Sequence, residues 1–315
     1  MDFEPNLPNS CLKNILKYVR FDQRSSIAHH IPAIASLESA VPLHLDYFHF
    51  EDLSLTIDTV SHDFYEFWNF PIPSPPSKKE VERIRDQKHF GNLFFRKIDL
   101  IGRWEKKVPL GITQGEAEKK YIDFLIGRFE KLEIRRLRID DVDDFLRRIG
   151  GERKGKLVVE ELHVKVEDYK EFEKICGFLN QESFPLKKFE IDAEKLDDLV
   201  LVDEKINSVM DFRINVNSSI ALSEVLIFVL RVLSVPHITG SIFQFEVPDE
   251  TFIRSILEAL NEKFKIESLQ LGQTIQIQTD QNFSVKVFGG QVEQYKRHIY
   301  DIMVTSYWWI MKFEF

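Results

Sequence analysis

The sequence has few of the residues that hold small folds together by cross-links or metal ions. It contains two cysteines, Cys11 and Cys176, and neither belongs to a Cys-x-x-Cys pair. This scarcity excludes a disulfide framework and the usual spacing of zinc ligands. It favours a reducing location inside the cell, in the cytoplasm or the nucleus. We expect no cofactor and no bound metal.

Motifs of common catalytic machinery are also lacking. The chain has no phosphate-binding Gly-x-x-x-x-Gly-Lys-Ser/Thr, no dinucleotide Gly-x-Gly-x-x-Gly and no nucleophile Gly-x-Ser-x-Gly. His44 and His49 are five apart in an alternating segment, which points their rings to opposite faces of a strand. The acidic run from Asp140 to Asp144 suits the first turn of a helix. We therefore predict a protein that is not an enzyme, and an enzyme of unrecognised type remains the alternative.

Long apolar runs are missing too. The most apolar stretch, from Ala221 to Val235, is interrupted by Glu224 and Arg231, which is typical of a buried helix and not of a membrane span. The net charge is −9, and the locally basic residues 78–156 are mixed with acidic ones. That mixture favours a solvated or internally paired surface over a nucleic-acid site. Neither membrane nor nucleic acid is an expected partner.

Phenylalanine, in contrast, is abundant, with 27 residues among 315. A chain of this length is large enough for two domains and a sizeable apolar core. Changes of pattern divide it into a helical motif at residues 1–42, a strand hairpin with a Pro-rich linker at 43–129, and a strand-helix domain at 130–315. The linker is clearest at Phe70–Ser77, which carries four prolines.

The first part has helical periodicity. Leu12, Ile15, Leu16 and Val19 recur at helical spacing and form one apolar stripe. Two more short helices are expected before Pro42, the second of them beginning at Pro32. After Pro42 the apolar residues alternate, which predicts a hairpin of strands between residues 43 and 57.

From residue 130 onward, short apolar-x-apolar triplets alternate with amphipathic stretches. The triplets recur at intervals close to the roughly 20 to 29 residues of leucine-rich repeats. Each triplet predicts a strand, and the stretches between them predict helices over one face of a parallel sheet. The middle residues would then share the open face and bind a protein substrate; an ordinary two-layer α/β domain is the alternative. These middle residues are Arg138, His163, Glu190, Arg213, Glu246 and Gln270, the last of them in Leu269-Gln-Leu271.

The final segment departs from this repeat. Residues 274–278 and 283–287 alternate on either side of a turn, which predicts a β-hairpin. Residues 307–315 place large apolar side chains at every second position, and four of the five are aromatic. We expect this last stretch to be a strand that covers the end of the sheet, and the alternative is a surface for a partner.

The N-terminal residues resemble the opening of a large nematode family of F-box-like proteins, whose associated domain has no assigned function. Ser183–Ile191, with Phe-Pro-Leu before a strand, is similar to a segment of the same family. Two features depart from the F-box pattern: Arg24 stands near a usual second-helix leucine, and residues 37–41 replace the usual Trp-Arg. The N-terminal match is carried by Leu7-Pro8, Leu12-Lys13, Ile15-Leu16, Tyr18, Arg24, Pro32, Ile34, Glu38 and Val41-Pro42-Leu43.

This resemblance implies a substrate-recruiting adaptor of a Skp-cullin-F-box type ubiquitin ligase. It implies a three-helix F-box-like motif at the N-terminus and a C-terminal domain that selects the substrate. With the triplets and the final hairpin, the expected fold is α/β: a short N-terminal three-helix F-box-like motif, followed by an irregular leucine-rich-repeat-like strand-helix domain with a C-terminal β-hairpin. The implied partners are a Skp-type adaptor and an unknown protein substrate. The resemblance assigns adaptor binding to Leu7, Pro8, Leu12, Ile15, Leu16 and Val19.

Two alternatives remain at this point. The stripe on the first helix can instead pack internally, against the strands between residues 43 and 57. The chain can also be a repeat-type scaffold or binding module with no connection to a ubiquitin ligase.

Overall fold

The computed structural model divides into two compact units, each described separately here. The first unit comprises Met1–Val159 and Ile175–Ser183, and the second comprises Glu160–Lys174 and Phe184–Phe315. The border between the two units falls within one strand, after Val159. The domain boundaries expected from the sequence, at residues 42 and 129, stay a prediction. The structure describes residues 8–51, 54–66, 93–99, 102–107, 111–166, 169–193, 209–216, 221–233, 240–247, 249–265, 270–278, 284–295 and 305–314.

Both units are mixtures of helices with parallel and antiparallel strands, so the coarse α/β class is confirmed. The Pro-rich segment Phe70–Ser77 lies outside the described residues. Within the described part of the chain, no helix has the length and apolar character needed to cross a bilayer.

Three short helices begin the first unit: α1 (Asn9–Tyr18), α2 (Phe21–His30) and α3 (Pro32–Ser39). Proline suits the first position of α3 because that position needs no N–H donor. The helices lie where the sequence predicted them.

A buried ionic cluster, the Arg24 cluster, joins these helices to the rest of the unit. The Arg24 Nε donates to the Glu38 carboxylate at 3.1 Å, and the Arg128 Nε donates to its other oxygen at 2.8 Å. The Arg24 guanidinium also donates to the backbone carbonyls of Glu38, Val41 and Pro42. Both arginines lie over the ring of Phe129. Burial lowers the pKa of Arg24, although the Glu38 carboxylate opposes that shift.

The sheet of the first unit has the strand order β6-β1-β2-β3-β4-β5. β1 and β6 are parallel, and the other neighbours are antiparallel, so the hairpin predicted after Pro42 is confirmed. The strands are β1 (Leu43–Phe50), β2 (Ser54–Ile57), β3 (Val60–Glu66), β4 (Leu93–Asp99), β5 (Gly102–Lys107) and β6 (Leu132–Ile139).

Two helices of this unit begin with side-chain caps. Thr113 and Glu116 form a capping box before α4 (Gln114–Ile126). Asp141 accepts a hydrogen bond from the backbone N–H of Asp144 at the start of α5 (Val142–Ile149). The acidic run therefore begins a helix, as the sequence predicted.

Buried His62 on β3 and half-buried Tyr121 on α4 form a polar pair. The Tyr121 hydroxyl lies 2.9 Å from His62 Nδ1. Burial, with a smaller contribution from the charge of Lys97, lowers the pKa of His62 from 6.5 to about 3. Burial also raises the pKa of Tyr121, so both side chains are neutral near pH 7.

This pair predicts a loss of stability in mild acid. Between pH 7 and pH 5 the unfolded chain binds a proton at this histidine and the folded chain does not. The contribution of His62 to the free energy of unfolding should therefore fall by about 2 kcal/mol over that interval. Urea unfolding at several pH values measures the slope, and a His62→Gln variant should lack this part of it. Identical slopes for the two proteins would contradict the assignment.

The sheet of the second unit begins with parallel strands and ends with antiparallel ones. β7, β8, β9 and β10 are parallel, and β13, β12 and β11 then follow in antiparallel pairing. β7 is divided between the units, with residues 157–159 in the first and residues 160–166 in the second. The strands are β7 (Leu157–Val166), β8 (Lys188–Ala193), β9 (Asp211–Val216), β10 (Ile242–Val247), β11 (Thr274–Gln278), β12 (Ser284–Tyr295) and β13 (Thr305–Glu314).

Helices alternate with these strands close to the positions expected from the sequence. They are α6 (Tyr169–Phe178), α7 (Leu222–Val232) and α8 (Glu250–Phe264), and residues 175–178 of α6 belong to the first unit. Asp249 caps α8 by accepting from the backbone N–H of Phe252. Five of the six triplets lie in strands. Of the sixth, Leu269 lies outside the described residues, and Gln270 and Leu271 are in no strand.

Part of the phenylalanine surplus forms a row across the core of this unit. Phe189, Phe212, Phe243 and Phe313 are register partners on four adjacent strands, and all are buried. Ring centroids are 5.4 Å apart from Phe189 to Phe212 and 5.0 Å apart from Phe212 to Phe243. Adjacent strands lie roughly 4.8 Å apart, so one large ring per strand fills the row without a gap.

The C-terminal strands differ in part from the prediction. β11 and β12 form the expected hairpin. The expectation that the aromatic stretch covers the end of the sheet is wrong, because β13 lies between β10 and β12 and is paired on both sides. Gly289 on β12 is needed at this junction, since a Cβ there would lie 2.6 Å from the Met311 sulfur.

Candidate recognition surfaces

The middle residues of the triplets on β7, β8 and β9 form a lateral row on one face of the second sheet. His163, Glu190 and Arg213 are register partners on these strands. Each is half-buried, while the apolar residues on either side of it are buried. The structure thus brings three of the six predicted substrate residues together.

The row continues on β10 at Gln244 and not at Glu246. Gln244 is the register partner of Arg213, whereas Glu246 pairs with Asn215 one step farther along. The sequence contains two overlapping triplets here, Phe243-Gln-Phe245 and Phe245-Glu-Val247, and the structure selects the first for this row. The triplet pattern therefore contained the signal, but the choice between the two required the sheet register.

The other two predicted substrate residues lie apart from this row. Gln270 is exposed and in no strand, just before a turn at Leu271 and Gly272. Arg138 belongs to β6 of the first unit, where its Nε donates to Asp140 at 3.0 Å.

Charges on β7, β8 and β9 compensate one another. Lys188 donates to Glu190 at 2.9 Å, and His163 Nε2 lies 2.9 Å from Asp192. Burial alone would raise the pKa of Glu190, but the charges of His163 and Lys188 hold it below its usual value. Arg213 makes two bonds to Asp211, at 3.1 and 3.0 Å. This part of the face is therefore close to electrically neutral.

A groove of about 380 Å³ lies beside these charges, over β9 to β13. Its polar lining includes two side chains that sequence reasoning missed, Gln244 and Lys312. They are register partners on the antiparallel strands β10 and β13. The groove is lined by Asp211, Arg213, Ile242, Gln244, Thr274, Lys286, Phe288, Ile310, Lys312 and Glu314.

A histidine-carboxylate cluster occurs in each unit. His49 lies with Glu51 and Asp140 in the first, and a second cluster consists of His163, Glu190 and Asp192; within each, the potential ligand atoms lie within 4.8 Å of one another. In both, the Asp carboxylate lies diagonally across a parallel strand pair, two residues beyond the histidine's register partner.

The geometry of these clusters would accept a divalent cation, but their carboxylates already have compensating partners. Burial alone would raise the pKa of Asp140, yet bonds from His49 and Arg138 hold it below its usual value. In the other cluster, Asn215 donates to Asp192. Sequence reasoning considered His49 and Asp140 only separately, because it takes parallel pairing to bring together residues 91 apart.

The predicted adaptor-binding residues on α1 are divided between the core and the surface. Leu16 is 4% exposed and packs internally, Leu12 and Val19 are half-buried, and Ile15 is 51% exposed. Tyr18, which the resemblance included in its pattern, is 89% exposed. Pro8 is exposed, and Leu7 lies outside the described residues. The stripe therefore has an inner part at Leu16 and an outer part around Ile15 and Tyr18.

Comparison of the chain with protein-family models, with curated proteins and with solved structures finds no match to any of them.

Proposed function

We propose that this protein is a non-catalytic, intracellular adaptor that recruits a protein substrate to a Skp-cullin-F-box type ubiquitin ligase. In this proposal α1 to α3 are an F-box-like motif that binds the Skp-type adaptor. The second unit is a leucine-rich-repeat-like domain, and the face that carries His163, Glu190 and Arg213 binds the substrate.

The observation that carries the proposal is the outer face of α1. Ile15 and Tyr18 are three residues apart and therefore lie on the same side of the helix, with Leu12 one turn before. Large apolar side chains exposed side by side on a helix are typical of a surface that docks into an apolar groove of a partner. Leu16 packs internally, which holds that face outward.

Strand-helix alternation in the second unit supports the other half of the proposal. β7 to β10 run parallel, and their triplets place apolar residues in the core and polar residues on the opposite face. Repeat proteins bind partners through such continuous sheet faces.

Replacing Ile15 and Tyr18 together with serine should weaken binding to the Skp-type adaptor by about a hundredfold, because each large apolar anchor contributes roughly 1 to 2 kcal/mol at an interface. Co-purification with a panel of adaptors identifies the partner, and calorimetry then gives the affinity. Ile227→Ser is the matched control, since Ile227 is also an exposed apolar helix residue, at 46%, but lies on α7.

Both substituted residues are exposed, so the double variant should keep its unfolding midpoint. Adaptor binding that is equal in the wild type and the double variant would contradict the assignment of α1. A wild-type chain that binds no Skp-type adaptor would contradict the ligase connection itself.

A second candidate function is a binding module with no ligase connection. The Arg24 cluster favours it, because Arg24 and Glu38 attach α2 and α3 to Arg128 through buried bonds. Helices anchored in this way have a structural role that needs no adaptor. The two functions are distinguished by the same co-purification.

A further inference from the structure

We propose that the groove over β9 to β13 binds the carboxylate of an acidic side chain in an apolar segment of a protein partner. This inference deepens the proposed function, since it rests on the assignment of this sheet face to substrate recognition. It is carried by the charge, burial and hydrogen bonding of the groove residues.

The first observation is that the groove contains one positively charged side chain, Lys312, whose charge no described carboxylate compensates. Arg213 is held by Asp211, and Lys286 donates to Glu314 at 3.1 Å. Lys312, in contrast, has no ion partner or hydrogen-bond acceptor among the residues that the structure describes. A single uncompensated ammonium matches one negative charge, which favours a carboxylate over a doubly charged phosphate.

The second observation is Gln244. Its side chain is only 8% exposed and lines the groove, and its amide makes no hydrogen bond to any described residue. The amide is not sealed from solvent, so within the groove its NH2 group can donate to a ligand carboxylate. Gln244 and Lys312 are opposite each other on antiparallel strands, so their Cβ atoms lie about 5 Å apart. Both side chains therefore line the same part of the groove.

The third observation is the apolar part of the wall. Ile242, Phe288 and Ile310 line the groove beside the polar pair. A small hydrophilic anion would leave them uncovered. A peptide with an acidic residue between apolar neighbours covers them and places its carboxylate at Lys312.

The test uses the full-length chain and three probes: the blocked peptide Ser-Ile-Glu-Phe-Ser, its counterpart with Gln in place of Glu, and 3-phenylpropanoate as a free acid. Binding is followed by NMR, through the side-chain amide signals of Gln244 and the backbone signals of β10 and β13. The Glu peptide should shift these signals and bind about tenfold more tightly than the Gln peptide, as expected for a charge-assisted hydrogen bond.

Lys312→Gln should reduce the affinity for the Glu peptide to that for the Gln peptide. Lys187→Gln, at an exposed lysine outside the groove, is the matched control and should change nothing. The comparison of the two peptides on the wild-type chain needs no variant, so the proposal is testable even where Lys312→Gln fails to fold.

Equal binding of the Glu and Gln peptides, or no shift at β10 and β13 with any probe, would overturn the proposal. Binding of the free acid as tight as that of the Glu peptide would overturn the assignment to a protein segment. None of these outcomes alters binding of the Skp-type adaptor at α1. The peptide titration therefore tests the groove proposal, and the co-purification separately tests the ligase connection.

Discussion

A Glu38→Leu variant is expected to lose about 4 kcal/mol of its free energy of unfolding. The Glu38 side chain is 0% exposed and is the only carboxylate that the structure shows bonded to Arg24 within the described residues. Without it, the buried Arg24 guanidinium and its neighbour Arg128 keep their charges and lose their counterion. Removing one partner of a buried pair typically costs about 3 to 5 kcal/mol. Urea unfolding of the two proteins measures the difference.

The matched control is the double variant Arg24→Leu, Glu38→Leu. It removes the buried charges together, and apolar replacements of a buried pair are often close to neutral. Most of the loss should therefore be recovered in the double variant. A double variant less stable than Glu38→Leu alone would show that the bonds from Arg24 to the backbone carbonyls contribute more than the ion pair does.

The second large effect is expected at Phe212. It lies inside the row of phenylalanine rings, with Phe189 on one side and Phe243 on the other, and is fully buried. Phe212→Ala leaves a cavity between rings that are fixed by their own strands, so the site cannot collapse. The expected loss is about 4 kcal/mol of the free energy of unfolding, measured in urea.

Two further variants serve as controls for the Phe212→Ala measurement. Phe212→Leu keeps most of the volume and should cost less than about 1.5 kcal/mol. Phe124→Ala removes a ring that is 58% exposed on α4 and should change stability by less than about 0.5 kcal/mol. A similar loss for Phe212→Ala and Phe124→Ala would contradict a continuous aromatic core.

Local patterns in the sequence predicted many elements of this fold, although β3, β4, β5 and α4 were not among them. The triplets at Leu162 and Phe189 and the stretch from Val142 to Ile149 correspond to strands and a helix, because alternation and helical periodicity are properties of a few neighbouring residues. The same holds for the acidic cap of α5.

What the sequence could not provide was the pairing of distant segments. Arg24 stood out as a departure from the F-box pattern, but its counterion at Glu38 and the second arginine at Arg128 depend on the packed structure. In the groove, Lys312 meets Gln244 only because β13 pairs with β10 in one register. An alternating pattern indicates that a segment is a strand, but it does not determine which other strands pair with it.

The position of β13 has a consequence for synthesis on the ribosome. β10 is translated well before its antiparallel neighbour, since α8, β11 and β12 all come between them in the chain. Until residues 305–314 emerge, β10 has an unsatisfied row of backbone donors and acceptors on that side, next to buried phenylalanine rings. Such an edge is prone to pairing with other nascent chains. The second unit therefore completes its sheet late, and a chaperone that shields β10 during translation would raise the yield of native protein.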